Sequence, residues 1–152
     1  MNNFQTPEDA GGLTDYLKPK PKGDMSVKDI VAADLAKNHS HEQLDVDAAY
    51  KILAAQIQSG AKLYRSNNTI FITKKIGHDA IEFHTINGES GRQLMENVIL
   101  YLTQLKAEGI NSAVTYYDNP KITSLWQQSK LNVDITKVNQ GQDRTFEAKV
   151  RL

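Results

Sequence analysis

The stretch Asn87–Ile110, NGESGRQLMENVILYLTQLKAEGI, decides how the rest of the chain is read. Two glycines interrupt it, and Leu94, Val98, Tyr101, Leu102 and Leu105 then recur at helical spacing until Gly109 ends the run. Glycines before a long helix let a backbone approach closely, and the N–H groups at a helix start attract anions. The same residues also have a self-contained reading. Ser90 and Gln93 form an S-x-x-Q capping box that satisfies the first N–H groups of the helix from within the chain. Glu89 puts a negative charge where an anion would sit, whereas Arg92 could pair with one.

Before this stretch, KLYRSNNTIFITKKIGHDAIEFHTI (62–86) alternates strand-forming runs with Asn-Asn and Gly-His-Asp turns, which predicts a three-stranded antiparallel meander. Two helices are expected ahead of the meander. Ser26 and Asp29 give an S-x-x-D start for a short one that buries Val27, Ile30, Val31 and Leu35 and frays at KNHSH. The second begins near Asp45 or Asp47, turns Ala49, Ile52, Leu53 and Ile57 to a core, and stops at Gly60.

After the opening stretch, INSAVTYY reads as a buried strand and NPKITSLWQQSK as a short helix with Asn119 at its cap and Pro120 in its first turn. LNVDITKV reads as a strand, NQGQDR as a polar turn and TFEAKVRL as the last strand. The expected order is ααβββαβαββ, in an α/β protein with a mixed, mostly antiparallel sheet. Residues 1–25 are poor in large apolar side chains, and LKPKPKGD suits extended structure, so they read as an N-terminal arm ahead of a domain spanning 26–152.

Composition narrows the function classes. The 152 residues carry 18 Lys plus Arg against 18 Asp plus Glu, so no global field draws the protein to nucleic acid or to an anionic membrane. The absence of cysteine removes thiolate metal sites and a cysteine nucleophile. Neither a secretory signal nor an apolar run of membrane-spanning length is expected. His39 and His41 in NHSHEQ could share a metal but have no third ligand at a recognisable spacing, so a polar linker is the reading and no metal is expected.

LKAEGINSAVTYYDNPKITSLWQQSKL resembles the helix-Gly-strand-Asn-helix run of the acetyl-CoA-dependent N-acetyltransferase (GNAT) superfamily, with Gly109, Asn119 and Leu125-Trp126 in matching places. The resemblance covers residues 26–152 by element order and about 79–131 by residue pattern. It implies the GNAT fold. For an active member it also implies acetyl-CoA held by the turn at Gly88, Ser90, Gly91, Arg92 and Gln93, with Asn119 nearby. A base at Glu82 or His84 and an acid at Tyr116 or Tyr117 would complete such a site.

The chain departs from the family pattern in three places. Only Gly91 stands for the turn's glycines, Trp126 replaces a tyrosine that serves as acid in many members, and Lys130-Leu131 replaces Gly-Phe. The chain is also similar to acetyltransferase-like virion proteins of tailed bacteriophages. The leading expectation is therefore a non-catalytic GNAT-like structural protein of a phage particle, without cofactor, docking on other subunits through residues 1–25. The alternative is a cytoplasmic acetyl-CoA-dependent N-acetyltransferase.

Overall fold

The structure, a computed structural model, describes residues 25–38, 45–138 and 145–152. The arm before Met25, the pair His39 and His41, and the NQGQDR turn lie outside the described residues. The element order is the expected one: α1 (Val27–Asn38), α2 (Val46–Gln58), β1 (Lys62–Ser66), β2 (Thr69–Lys75), β3 (Ala80–Asn87), α3 (Gly91–Ala107), β4 (Ser112–Tyr117), α4 (Pro120–Gln128), β5 (Asn132–Lys137) and β6 (Phe146–Arg151). The six strands form one mostly antiparallel sheet in the order β1-β2-β3-β4-β6-β5, so the last strand inserts between β4 and β5.

Local chemistry sets most boundaries. Ser26 Oγ accepts from Asp29 N at 3.1 Å at the start of α1, and Asp45 Oδ1 accepts from Ala48 N at 2.7 Å at the start of α2. Asn119 caps α4 by accepting from Lys121 N at 3.0 Å, with Pro120 in the first turn, where its missing N–H costs nothing. Helix α3 ends in a C-terminal cap in which Ile110 N donates to Leu105 O and Gly109 takes a φ of +92°, a conformation that glycine adopts without strain. Lys130 has a φ of +62°, a left-handed conformation that costs a residue with a side chain some strain.

The chain divides into two compact units. The first comprises the described residues up to Ile72 together with Thr85–Ser90. Its core is Val27, Ile30, Val31, Leu53, Ile57, Leu63 and Ile70, with Met25, Leu35, Ala49 and Ile86 packed around it. Ile52, expected in this core, is 52% exposed. Leu53 and Ile57 are one turn apart and face inward, and Ile52 lies about 100° around the helix from Leu53.

The second unit comprises Thr73–His84 and the described residues from Gly91 to Leu152. Among its buried apolar residues are Ile81, Phe83, Val98, Tyr101, Leu102, Leu105, Trp126, Ala148 and Val150. Phe83 and Tyr101 meet edge to face at 5.2 Å, and the Tyr101 hydroxyl shares a 2.6 Å hydrogen bond with Thr73. Leu94, expected in the core, is half-buried, and Asn97 on the same helix is fully buried. Asn97 Oδ1 accepts from Gln93 Nε2 at 3.0 Å, which offsets part of the cost of burying its amide.

Candidate functional site

In the second unit, β3 and β4 run parallel over only three residue pairs, Ala80↔Ser112 to Glu82↔Val114. Asp79 O anchors the start of that ladder by accepting from Asn111 N at 2.8 Å, and Asp79 Oδ2 accepts from Asn111 Nδ2 at 2.6 Å. Within the second unit both strands continue past the ladder, to His84 and Tyr117. The C-terminal ends of parallel strands are where open α/β sheets usually place ligands.

The register sorts the candidate proton-handling residues. Glu82 lies opposite Val114, and Val114 lies opposite Lys149. Side chains alternate along a strand, so His84, Tyr116 and Glu147 share that face. Glu82 Oε2 is 3.4 Å from His84 Nε2, with the Glu82 side chain 22% and the His84 side chain 39% exposed. This is a pairing within one strand, not across strands. Tyr116 Oη donates to Glu147 Oε2 at 2.9 Å, and Lys149 Nζ is 3.6 Å from Glu147 Oε1.

Tyr117 points to the opposite face, where it stacks on Phe146 at 5.3 Å and shares a 2.8 Å hydrogen bond with Thr123 of α4. Burial raises its pKa against the lowering effect of the Thr123 bond, which makes it a weaker acid than a solvated phenol. The structure thus brings Glu82, His84 and Tyr116 to one face and separates Tyr117 from them. Glu147 and Lys149 join that face without having been singled out from the sequence. The alternation in TFEAKVRL carried a signal for them, but the pairing that sets them beside Tyr116 did not show.

Trp126 is 2% exposed, and its Nε1–H has no hydrogen-bond partner among the described residues. An indole N–H has no useful acidity, so it cannot replace a tyrosine as proton donor.

The turn residues fall into two groups. In the second unit, Gly91 and Arg92 are exposed at the start of α3. A Cβ on Gly91 would lie 3.3 Å from Leu125 Cδ1, so the glycine allows α4 to pack closely. In the first unit, Asn87–Ser90 is committed to the fold. A Cβ on Gly88 would lie 2.9 Å from Met25 Sδ and 3.2 Å from Asn68 O, so the space above this glycine is filled by the chain itself. Gly88 N donates to Asn68 O at 2.9 Å, and Glu89 N donates to Asn87 Oδ1 at 3.1 Å.

The Glu89 carboxylate turns back to accept from Asn68 N at 3.2 Å, while Lys37 Nζ and Asn87 Nδ2 donate to Glu89 O. Beneath this turn, Arg65 is buried and donates to Asn67 O at 2.7 Å, Met25 O at 2.6 Å and Asn68 Oδ1 at 3.1 Å. A pyrophosphate cradle needs backbone N–H groups aimed at the ligand and space for it to come close. Gly88 and Glu89 provide neither, so these residues do not fit the diphosphate of coenzyme A.

No family model matches the sequence, and no curated protein matches it. Solved structures do match. A probable GNAT-family acetyltransferase from Chromobacterium violaceum superposes with a TM-score of 0.60 at 18% identity, over 82% of this chain and 80% of that one. The ribosomal L7/L12 alpha-N-protein acetyltransferase RimL, in complex with coenzyme A, gives 0.57 at 10% identity, over 83% and 85%. An IAA acetyltransferase from Bacillus cereus gives 0.51 at 10% identity, over 100% and 99%. At these identities the likeness is one of architecture, and the architecture of this chain is the GNAT acetyltransferase fold.

Proposed function

We propose that this chain is a GNAT-fold protein that transfers no acetyl group and works by binding other protein subunits. The observation that carries the reading is the closed turn: Met25 fills the space over Gly88, and the Glu89 carboxylate and the Gly88 and Glu89 N–H groups are spent on the chain's own partners. Trp126 in place of an acidic tyrosine supports it. The assembly we infer is a bacteriophage particle, with residues 1–25 as the docking arm; this finer reading rests on the resemblance in sequence.

Calorimetry and thermal unfolding with millimolar acetyl-CoA test the first part. A ligand at a hundred times its Kd would stabilise the folded chain by about 2.7 kcal/mol. The expected result is no heat and no shift in Tm, and saturable binding would overturn the reading. Pull-down against candidate virion subunits tests the second part. Full-length protein should capture one and a chain lacking residues 1–25 should not; identical behaviour of the two chains would sink the docking role.

One observation favours acetyl transfer as a second reading. Glu82 and His84 form a carboxylate-imidazole pair on the face that also carries Tyr116, a set able to accept and donate protons. The same calorimetry decides between the two.

A further inference from the structure

The chain contains one Asn-Gly dipeptide, Asn87–Gly88, in the turn whose closure carries the proposed function. Asn-Gly is the dipeptide most prone to cyclise, because glycine has no side chain to hinder attack of its own backbone nitrogen on the preceding amide. We propose that Asn87–Gly88 is a latent self-modification site, silent while the turn is closed and reactive when the turn opens. Gly88 N loses its proton to solvent base and forms a bond to Asn87 Cγ. The Cγ–Nδ2 bond breaks and ammonia leaves, giving a succinimide. Water then opens the ring at either carbonyl to give aspartate or isoaspartate. Nothing is oxidised or reduced, and water is the only co-reactant.

The closed turn restrains both reacting groups. Gly88 N–H is donated to Asn68 O at 2.9 Å, which keeps the proton on the nucleophile. Asn87 is 7% exposed and ends β3, in extended backbone. Its Oδ1 accepts from Thr69 Oγ1 at 2.9 Å and from Glu89 N at 3.1 Å, and its Nδ2 donates to Glu89 O at 2.8 Å. Its own N–H donates to Asp34 Oδ1 at 3.1 Å. Cyclisation must therefore break several hydrogen bonds at once, and its rate follows the population of the open turn.

The product cannot close again on the same terms. Aspartate at this position lacks the Nδ2 donor and sets a carboxylate oxygen against Glu89 O, with the Asp34 carboxylate also close, a repulsion that Lys37, which donates to Glu89 O, offsets only in part. Each opening long enough for cyclisation thus leaves a permanent mark on that copy of the protein.

The test is incubation of the full chain at mildly alkaline pH, in native buffer and in concentrated urea, followed by peptide mapping and isoaspartate detection. Conversion at Asn87 should run at least about tenfold faster in urea, because the open state then dominates. Thr69→Val in native buffer should give an intermediate rate, since it removes one restraint on Asn87 Oδ1. Asn87→Asp, which mimics one product, should lower Tm by about 3 °C or more. Equal conversion rates in buffer and urea would overturn the restraint, and an Asn87→Asp chain with unchanged Tm would overturn the lasting mark.

Discussion

The turn at Asn87–Ser90 and the sheet face bearing Glu82, His84 and Tyr116 use polar side chains in opposite ways. In the turn, Asn68 and Asn87 are buried and Glu89 is half-buried, and all three hydrogen-bond to groups of the first unit. On the sheet face, Glu82 and His84 are partly exposed and sit 3.4 Å apart, looser than a good hydrogen bond. The difference teaches where this copy of the fold has invested its polar groups. The turn spends its polar groups on its own hydrogen bonds, and the sheet face keeps part of them exposed. Substitutions in the two regions should therefore differ in kind: the turn should answer in stability, the face hardly at all.

The largest effect is expected at Arg65. Its guanidinium donates to Asn67 O, Met25 O and Asn68 Oδ1 from a site only 6% exposed. Arg65→Ala removes these charge-assisted bonds and leaves buried acceptors unmatched, at a cost of about 3 kcal/mol in urea unfolding. A loss under about 1 kcal/mol would show that the network fills space without holding the turn.

Gly88→Ala comes next. The added Cβ meets Met25 Sδ and Cε, which can yield, and Asn68 O, which belongs to the hydrogen bond with Gly88 N and cannot yield cheaply. The expected cost is about 2 kcal/mol, in line with other overpacked sites. Met25→Ala in the same chain should recover part of it, and no recovery would place the strain at Asn68 alone.

Tyr101→Phe provides a scale for a buried polar contact in the second unit. The tyrosine is fully buried, and its loss leaves the Thr73 hydroxyl, 5% exposed, without the 2.6 Å bond, at a cost of about 1 kcal/mol near neutral pH. Burial raises the pKa of Tyr101 far above its ordinary 10.0, against a lowering by the Thr73 bond, with Glu108 adding to the rise. Below pH 10 the phenol is protonated in both states. Above it the unfolded chain releases the proton and the folded chain holds it, so this tyrosine's stabilisation is lost as pH rises. Urea midpoints at neutral pH and above pH 10 should thus show the gap between the two chains narrowing; a constant gap would contradict the raised pKa.

Much of the fold was legible because each boundary carries its own chemistry. Asp45, Gly60, Gly109 and Asn119-Pro120 punctuate the helices through residues one to five positions away. The candidate site was legible only in part. That Glu82 and His84 share a face follows from alternation along one strand. Which of Tyr116 and Tyr117 joins them depends on pairing with β3 and β6, and no local pattern states that register. The closure of the turn was hidden for the same reason. Met25 reaches Asn68 over 43 positions, Asn87 reaches Asp34 over 53, and Glu89 reaches Asn68 over 21. From sequence, Glu89 was a charge that an anion would have to face; its inward turn appears only once the β1–β2 turn lies beside it.

The smallest stability effect is expected at Tyr116, and it divides the two functional readings most directly. Its hydroxyl donates to Glu147 Oε2, but Tyr116 is half-buried, and Glu147 keeps Lys149 at 3.6 Å and access to water. Tyr116→Phe should therefore cost about 0.5 kcal/mol or less. A role in proton transfer makes a different demand, because losing a general acid removes a factor of about 10² to 10⁴ in rate whatever happens to stability. If the wild-type chain acetylates a test amine and Tyr116→Phe abolishes that activity with its urea midpoint unchanged, the open face is a working site and the non-catalytic reading fails. If neither chain turns over and their midpoints agree, Tyr116 and Glu147 are an ordinary cross-strand pair.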